Sequence, residues 1–129
     1  MKILIDTNRY RDFCEGDPVA VEVFRRAHEI HIPLIVVAEL RAGFAVGTRS
    51  QKNEETLSSF LHRERVRVAT LNLDTTRHYA QLFRQLRSQG TPIPTNDIWI
   101  AALAVQHDLL LFSRDEHFSH LPQLPQVGG

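Results

Sequence analysis

The chain has 129 residues, close to the commonest size for one domain, and 43% of them are apolar, enough to build a core. Lysine plus arginine equals aspartate plus glutamate at 15 each, so no overall charge pulls the chain towards a polyanion, and any such partner must meet a local patch. Cys14 is the only cysteine, which excludes an internal disulfide framework, and no stretch is long and apolar enough to span a bilayer.

Met1-Lys2-Ile3-Leu4-Ile5-Asp6 is too short and too soon charged for a secretion signal. It reads as a buried first strand ending at Asp6, and a cytoplasmic protein without membrane association is expected. Asp17-Pro18 starts a helix, with Asp17 as N-cap and Pro18 in the first turn; Val19, Val23, Phe24 and Ala27 make its inward face. His31-Ile32-Pro33 breaks that helix. Leu34-Ile35-Val36-Val37 is expected as a second buried strand or strand end, running straight into Ala38-Glu39-Leu40, and Gly43 and Gly47 make the next segment loose.

Residues 53–61 read as a helix with Leu57, Phe60 and Leu61 inward, and residues 66–68 as a short strand. Residues 75–88 read as a helix carrying Tyr79, Leu82, Phe83 and Leu86 on one side and stopped by Gly90. Pro92-Ile93-Pro94 is extended. Thr95 or Asn96 then caps a helix over 97–107, apolar on every side from Ile98 to Val105 and therefore central. Residues 109–112 form the next strand, followed by Ser113-Arg114-Asp115, and a last edge strand is expected near 124–127. Short apolar strands alternating with helices imply a mainly parallel sheet covered on both faces, a three-layer α/β/α fold in one domain over residues 1–129. Ligand sites in such sheets lie beyond the carboxyl ends of the strands.

The acids gather where that rule points. Asp6 follows the first strand directly, Glu39 follows the 34–37 run by two residues, and Asp115 follows Phe112 by three. Asp97 begins the most apolar helix. Each has an ordinary explanation by itself: Asp6 and Asp115 as turn formers, Asp97 as a first-turn acid favoured by the helix dipole, and Glu39 as a partly buried surface residue. Together they place four carboxylates on one rim. Such a cluster repels itself unless a cation sits within it, and hard oxygen donors suit Mg²⁺ or Mn²⁺. No phosphate-cradling glycine loop and no Cys-x-x-Cys pair is present.

Four stretches carry a resemblance: Ile3-Leu4-Ile5-Asp6-Thr7-Asn8; Val37-Ala38-Glu39-Leu40-x-x-Gly43; Pro94-Thr95-Asn96-Asp97-Ile98-Trp99-Ile100-Ala101-Ala102; and Phe112-Ser113-Arg114-Asp115-x-x-Phe118. In this order and spacing, across nearly the whole chain, the sequence resembles the PIN-domain ribonucleases and, among them, the VapC-type toxins of toxin–antitoxin pairs. The resemblance implies a PIN-like fold and a metal-dependent endoribonuclease that leaves a 5′-phosphate and a 3′-hydroxyl. Asp6, Glu39, Asp97 and Asp115 become its acidic metal-site residues, with Asp6 and Asp97 as the principal ligands. It implies support from Thr7, Asn8, Asn96 and Ser113, a Mg²⁺ or Mn²⁺ cofactor, an RNA substrate, a cognate antitoxin in the acid-lined groove, and a homodimer. Arg9, Arg11, Arg41 and Arg114 lie beside the acids in sequence and are candidates to hold the RNA backbone. Arg9-Tyr10-Arg11 departs from the apolar residues that often follow Asp-Thr-Asn in the family.

Other readings carry less weight. A PIN-fold module that binds RNA or a partner without cleaving it would have no need of all four acids. A phosphatase with an aspartate nucleophile wants a second acid where Asn8 stands. His117 and His120 read as surface histidines, because a zinc site would want further ligands. Trp99 reads as core, and Cys14 as a small residue without catalytic surroundings.

Overall fold

A computed structural model describes residues 1–128. Among them, β1 (Lys2–Ile5), β2 (Glu29–Pro33), β3 (Val66–Ala69) and β4 (Leu110–Phe112) form one sheet in the order β3-β2-β1-β4. Every neighbouring pair is parallel, and Leu4 of β1 stands opposite His31 of β2 and Leu111 of β4. The central strand reads Lys-Ile-Leu-Ile because it is covered on both faces: Ile3, Leu4 and Ile5 are all fully buried.

Six α-helices among the described residues complete the three layers: α1 (Thr7–Cys14), α2 (Pro18–Arg26), α3 (Leu34–Val46), α4 (Ser50–Leu61), α5 (Leu73–Gln89) and α6 (Thr95–His107). A short 3₁₀ helix, Glu116–His120, follows β4. Helices α1 to α4 pack on one another around an aromatic cluster, with Phe13 stacked on Phe24 at 4.3 Å and Tyr10 edge-on to Phe60 at 5.1 Å. Phe24 also meets Phe112 at 6.3 Å, which joins this helical layer to the sheet.

Helices α5 and α6 pair with each other, Tyr79 lying 4.2 Å from Trp99. The buried Thr75 closes a reciprocal cap with Asn72 at the start of α5 and donates to Gln106 of α6 at 2.6 Å. From Ile100 to Ala104, α6 has no exposed residue; burying a side chain such as Leu103 stabilises the fold by roughly 1.5–3 kcal/mol. At its C-terminus α6 turns through the left-handed Asp108 (φ 53°) straight into β4. Because the helix ends where β4 begins, its N-terminus lies back over the carboxyl edge of the sheet. That brings Asp97 to the rim.

The structure corrects several expectations. Residues 34–37 are not a strand: they open α3, and the strand is the preceding Glu29–Pro33, with Ile30 and Ile32 buried on alternate positions. A short apolar run fits a buried helix as well as a buried strand, and Pro33 decides between them by supplying the extended residue (φ −61°, ψ 141°) from which α3 begins. Neither Thr95 nor Asn96 caps α6. Pro94 holds the N-cap position, and Thr95 and Asn96 lie exposed in the first turn. On α2 Phe24, Val23 and the C-cap Ala27 turn inward as expected and Ala20 joins them, while Val19 is 57% exposed. Phe83 on α5 is 45% exposed. The expected last strand is a single bridge between Leu111 and Gln126.

Candidate metal centre at the carboxyl edge of the sheet

A cavity of about 310 Å³ opens at this edge, lined by Asp6, Thr7, Asn8, Arg11, Glu39, Asp97, Ile100 and Asp115. All four acids singled out in the sequence therefore face one space, each delivered by a different element. Asp6 comes from the end of β1, Glu39 from the second turn of α3, Asp97 from the first turn of α6, and Asp115 from the turn after β4.

Two of these acids also do the ordinary structural work their positions suggest. Asp6 caps α1: its Oδ1 accepts the backbone N–H of Arg9 at 2.9 Å. Its Oδ2 accepts the Ser113 hydroxyl at 2.5 Å. Asp115 caps the 3₁₀ helix by accepting the His117 N–H at 2.9 Å, and its own N–H donates to Ser113 Oγ at 3.0 Å. Ser113 thus links the end of β1 to the Asp115 turn. Thr7, next to Asp6, donates to Glu39 Oε1 at 3.1 Å.

Asp6 is only 6% exposed, and burial pushes its carboxyl above the usual carboxylate range. The Ser113 and Arg9 hydrogen bonds oppose that rise, and the charge of Asp115 adds to it. Asp97 is raised for the same leading reason; its bond to His117 opposes the rise, while Asp115 and Glu39 reinforce it. Anionic oxygens are therefore held together in a partly dry site, at a cost that a bound cation relieves. Glu39 is the exception to the expected burial. It is exposed on α3, because Val36, Val37 and Leu40 take the inward positions of the helix.

His117, expected at the surface, belongs to the site. Its Nδ1 lies 2.8 Å from Asp97 Oδ2 and 3.0 Å from Asp115 Oδ1. One ligand atom from each of the three residues lies within 4.8 Å of the others. The bond to Asp97 raises the pKa of His117 above that of a free histidine. No local pattern marks His117: the Asp115 carboxylate caps its N–H, and it meets Asp97 only through the way the turn after β4 packs against the start of α6. His120, by contrast, is exposed.

The arginines divide. Arg11 lines the cavity, and the missing side chain of Gly43 leaves room for it: a Cβ there would stand 3.3 Å from Arg11 Nη2. Arg9 lies 4.2 Å above the Phe112 ring and pairs with Asp12 at 3.3 Å. Arg114 makes two bonds to the same Asp12, at 2.9 and 3.2 Å, and Arg41 pairs with Glu54 across α3 and α4 at 2.7 Å. Asn8 is exposed at the cavity rim, and Trp99 is half-buried against Tyr79.

Fold and site together define a parallel α/β protein with an acidic, oxygen-donor pocket at the carboxyl edge of its sheet. Residues 3–124 match the PIN domain model, and the chain belongs to that family. It is 31% identical over 121 residues to the plasmid stability protein StbB of Pseudomonas syringae pv. tomato, covering 88% of this chain and 87% of that protein. It is 30% identical over 122 residues to the VapC ribonuclease Y4jK of Sinorhizobium fredii, covering 88% and 86%. The crystal structure of VapBC2 from Rickettsia felis, bound to a DNA fragment from its promoter, superposes with a TM-score of 0.84 at 25% identity over 98% of this chain and 97% of that one.

Proposed function

We propose that this protein is a divalent-metal-dependent endoribonuclease and the toxin of a toxin–antitoxin pair, with Asp6, Glu39, Asp97 and Asp115 holding the cation. The observation that carries this reading is the meeting of four carboxylates, from four separate elements, around one cavity of about 310 Å³. The VapC ribonucleases among its relatives, one at 30% identity over most of both chains, support the reaction. The VapBC complex among its structural neighbours supports an antitoxin partner. Four acids without a soft ligand among them suit Mg²⁺ or Mn²⁺ by the chemistry of the donor set.

When bound, the cation supplies Lewis-acid stabilisation of the phosphate and lowers the pKa of a coordinated water. The chain's own groups do the rest. Asp6 is held by Arg9 N–H and Ser113 Oγ, so its orientation is fixed before substrate arrives. A carboxylate of the cluster lining the cavity is placed to take a proton from the attacking water. Arg11 offers the cavity a guanidinium for an RNA phosphate. Thr7 steadies Glu39, and the buried Ile100 limits water on the inner wall.

Among the described residues no helix is long and apolar enough to cross a membrane. Self-association as a homodimer belongs to the same proposal, and the exposed Phe83, stacked on Tyr79, is a candidate contact. The test is cleavage of a structured RNA with and without Mn²⁺. Metal-dependent cutting that is lost in Asp97→Asn supports the proposal. RNA retained without cutting, under every divalent metal, would replace it with the binding-module reading.

A further inference from the structure

The acids alone form an all-oxygen site, which gives no reason to prefer Mn²⁺ to Mg²⁺. His117 changes the donor set. Its Nδ1 is turned between the two carboxylates, 2.8 Å from Asp97 Oδ2 and 3.0 Å from Asp115 Oδ1. The side chain is held there by main-chain geometry, since the His117 N–H is bound to Asp115 Oδ1 in the cap of the 3₁₀ helix. The adjacent Phe118 is fully buried, which anchors the helix and fixes the side His117 presents. The result is a nitrogen and two oxygens close enough for one ion to touch all three.

Resting on the metal-dependent reading above, we propose that His117 is a direct nitrogen ligand, forming with Asp97 and Asp115 a mixed subsite that selects Mn²⁺ over Mg²⁺. The selectivity follows from the donors. Mg²⁺ keeps to oxygen and to near-ideal octahedral geometry, whereas affinity for a nitrogen donor rises through the transition-metal series that Mn²⁺ begins. Asp6 is not among the three residues whose ligand atoms lie within 4.8 Å of one another. Asp97 and Asp115 are the acids that share His117.

The experiment is a titration of the metal-free protein with Mn²⁺ alone, read by calorimetry and by pulsed electron paramagnetic resonance, in wild type, His117→Ala and His120→Ala. Wild type is expected to bind Mn²⁺ with the nitrogen modulation of a directly coordinated imidazole. In His117→Ala that modulation disappears and Mn²⁺ affinity falls about tenfold or more, while Mg²⁺ affinity, titrated separately, changes by less than about threefold. His120→Ala, altered at an exposed histidine in the same short helix, keeps both the signal and the affinity and shows that the helix tolerates the change. Mn²⁺ bound by wild type without nitrogen modulation would overturn the ligand role of His117 and leave the four-acid site standing. No Mn²⁺ uptake at all would overturn the metal-dependent reading itself.

Discussion

The Ser113 hydroxyl donates to Asp6 Oδ2 at 2.5 Å, joining two residues 107 positions apart in the chain. Ser113 Oγ in turn accepts the N–H of Asp115 at 3.0 Å, so one hydroxyl fixes two acids of the pocket relative to each other. Ser113→Ala leaves Asp6 Oδ2 and the Asp115 N–H unpartnered in a half-buried place, at a cost of about 1–3 kcal/mol. Denaturant unfolding is expected to show that loss, and Mn²⁺ affinity is expected to fall about 10–100-fold as the acids lose their mutual orientation. Ser113→Thr, which keeps the hydroxyl, is expected to recover most of both.

Asp6 has two separable roles, and two substitutions divide them. Asp6→Asn keeps an oxygen to accept the Arg9 N–H, so α1 remains capped while the charge is lost; RNA cleavage is expected to fall about 100-fold or more with little change in stability. Asp6→Ala removes the cap as well and is expected to cost about a further 1 kcal/mol in urea unfolding. Equal stabilities for the two variants would contradict the capping role.

Asp97 is charged against its surroundings. Burial and the neighbouring Asp115 and Glu39 raise its pKa, so in the metal-free protein near neutral pH its charge disfavours the folded state. Asp97→Asn is therefore expected to raise the metal-free melting temperature by a few degrees while abolishing cleavage. With Mn²⁺ at about a hundred times its dissociation constant, wild type gains about 2.7 kcal/mol and the variant much less. Differential scanning calorimetry with and without metal reads both effects.

Asp12 is the hinge of an ion network absent from the motifs. It binds Arg114 twice and Arg9 once, tying α1 to the turn that carries Ser113 and Asp115. The Arg114 guanidinium holds the Asp12 carboxyl below the usual carboxylate range. A depressed acid contributes stability that is present above the unfolded value near 3.8 and is lost as pH falls through the lower folded value. The melting temperature of Asp12→Asn is expected to lie below that of wild type at about pH 7, and the gap is expected to close below about pH 3.8. A gap that persists unchanged to about pH 2.5 would contradict the network.

The departure at Arg9-Tyr10-Arg11 has its account in the same geometry. Arg9 packs its guanidinium over Phe112 and pairs with Asp12, Tyr10 is buried against Phe60, and only Arg11 reaches the cavity. Charge patterning along the chain could not separate these three, because neighbours on a helix point in different directions. Proximity to the acids makes Arg114 and Arg41 candidates to hold RNA, yet in the structure their guanidiniums are paired with Asp12 and Glu54.

Much of the fold was legible because period and punctuation agree with tertiary burial. The first strand, α2 with its Asp17 cap, α5 with its Gly90 stop, and the wholly apolar α6 all stand where their residues predict them. The second strand is displaced by one element from its expected place because Leu34-Ile35-Val36-Val37 is more apolar than the strand before it. Glu29 and His31 sit at alternating, partly exposed positions of that strand and lie 2.9 Å apart through Glu29 Oε1 and His31 Nε2. Asp6 and Asp115 were legible because strand ends in a parallel sheet share a rim, and Asp97 because it opens the apolar α6, whereas Glu39 reaches the same rim from the second turn of α3 and not from a strand end. His117 was not: whether it meets Asp97 depends on where the β4 turn lies against the start of α6, and no local pattern encodes that distance.

The most direct measurement of the central claim is Mn²⁺ binding by metal-free protein, followed by calorimetry, in wild type and in a variant with both Asp6→Asn and Asp97→Asn. Wild type is expected to bind Mn²⁺ saturably, with binding abolished in the double variant and its circular dichroism spectrum unchanged, and RNA cleavage is expected to rise with metal occupancy. Equal Mn²⁺ binding by the two proteins, or cleavage that persists in EDTA, would contradict the claim.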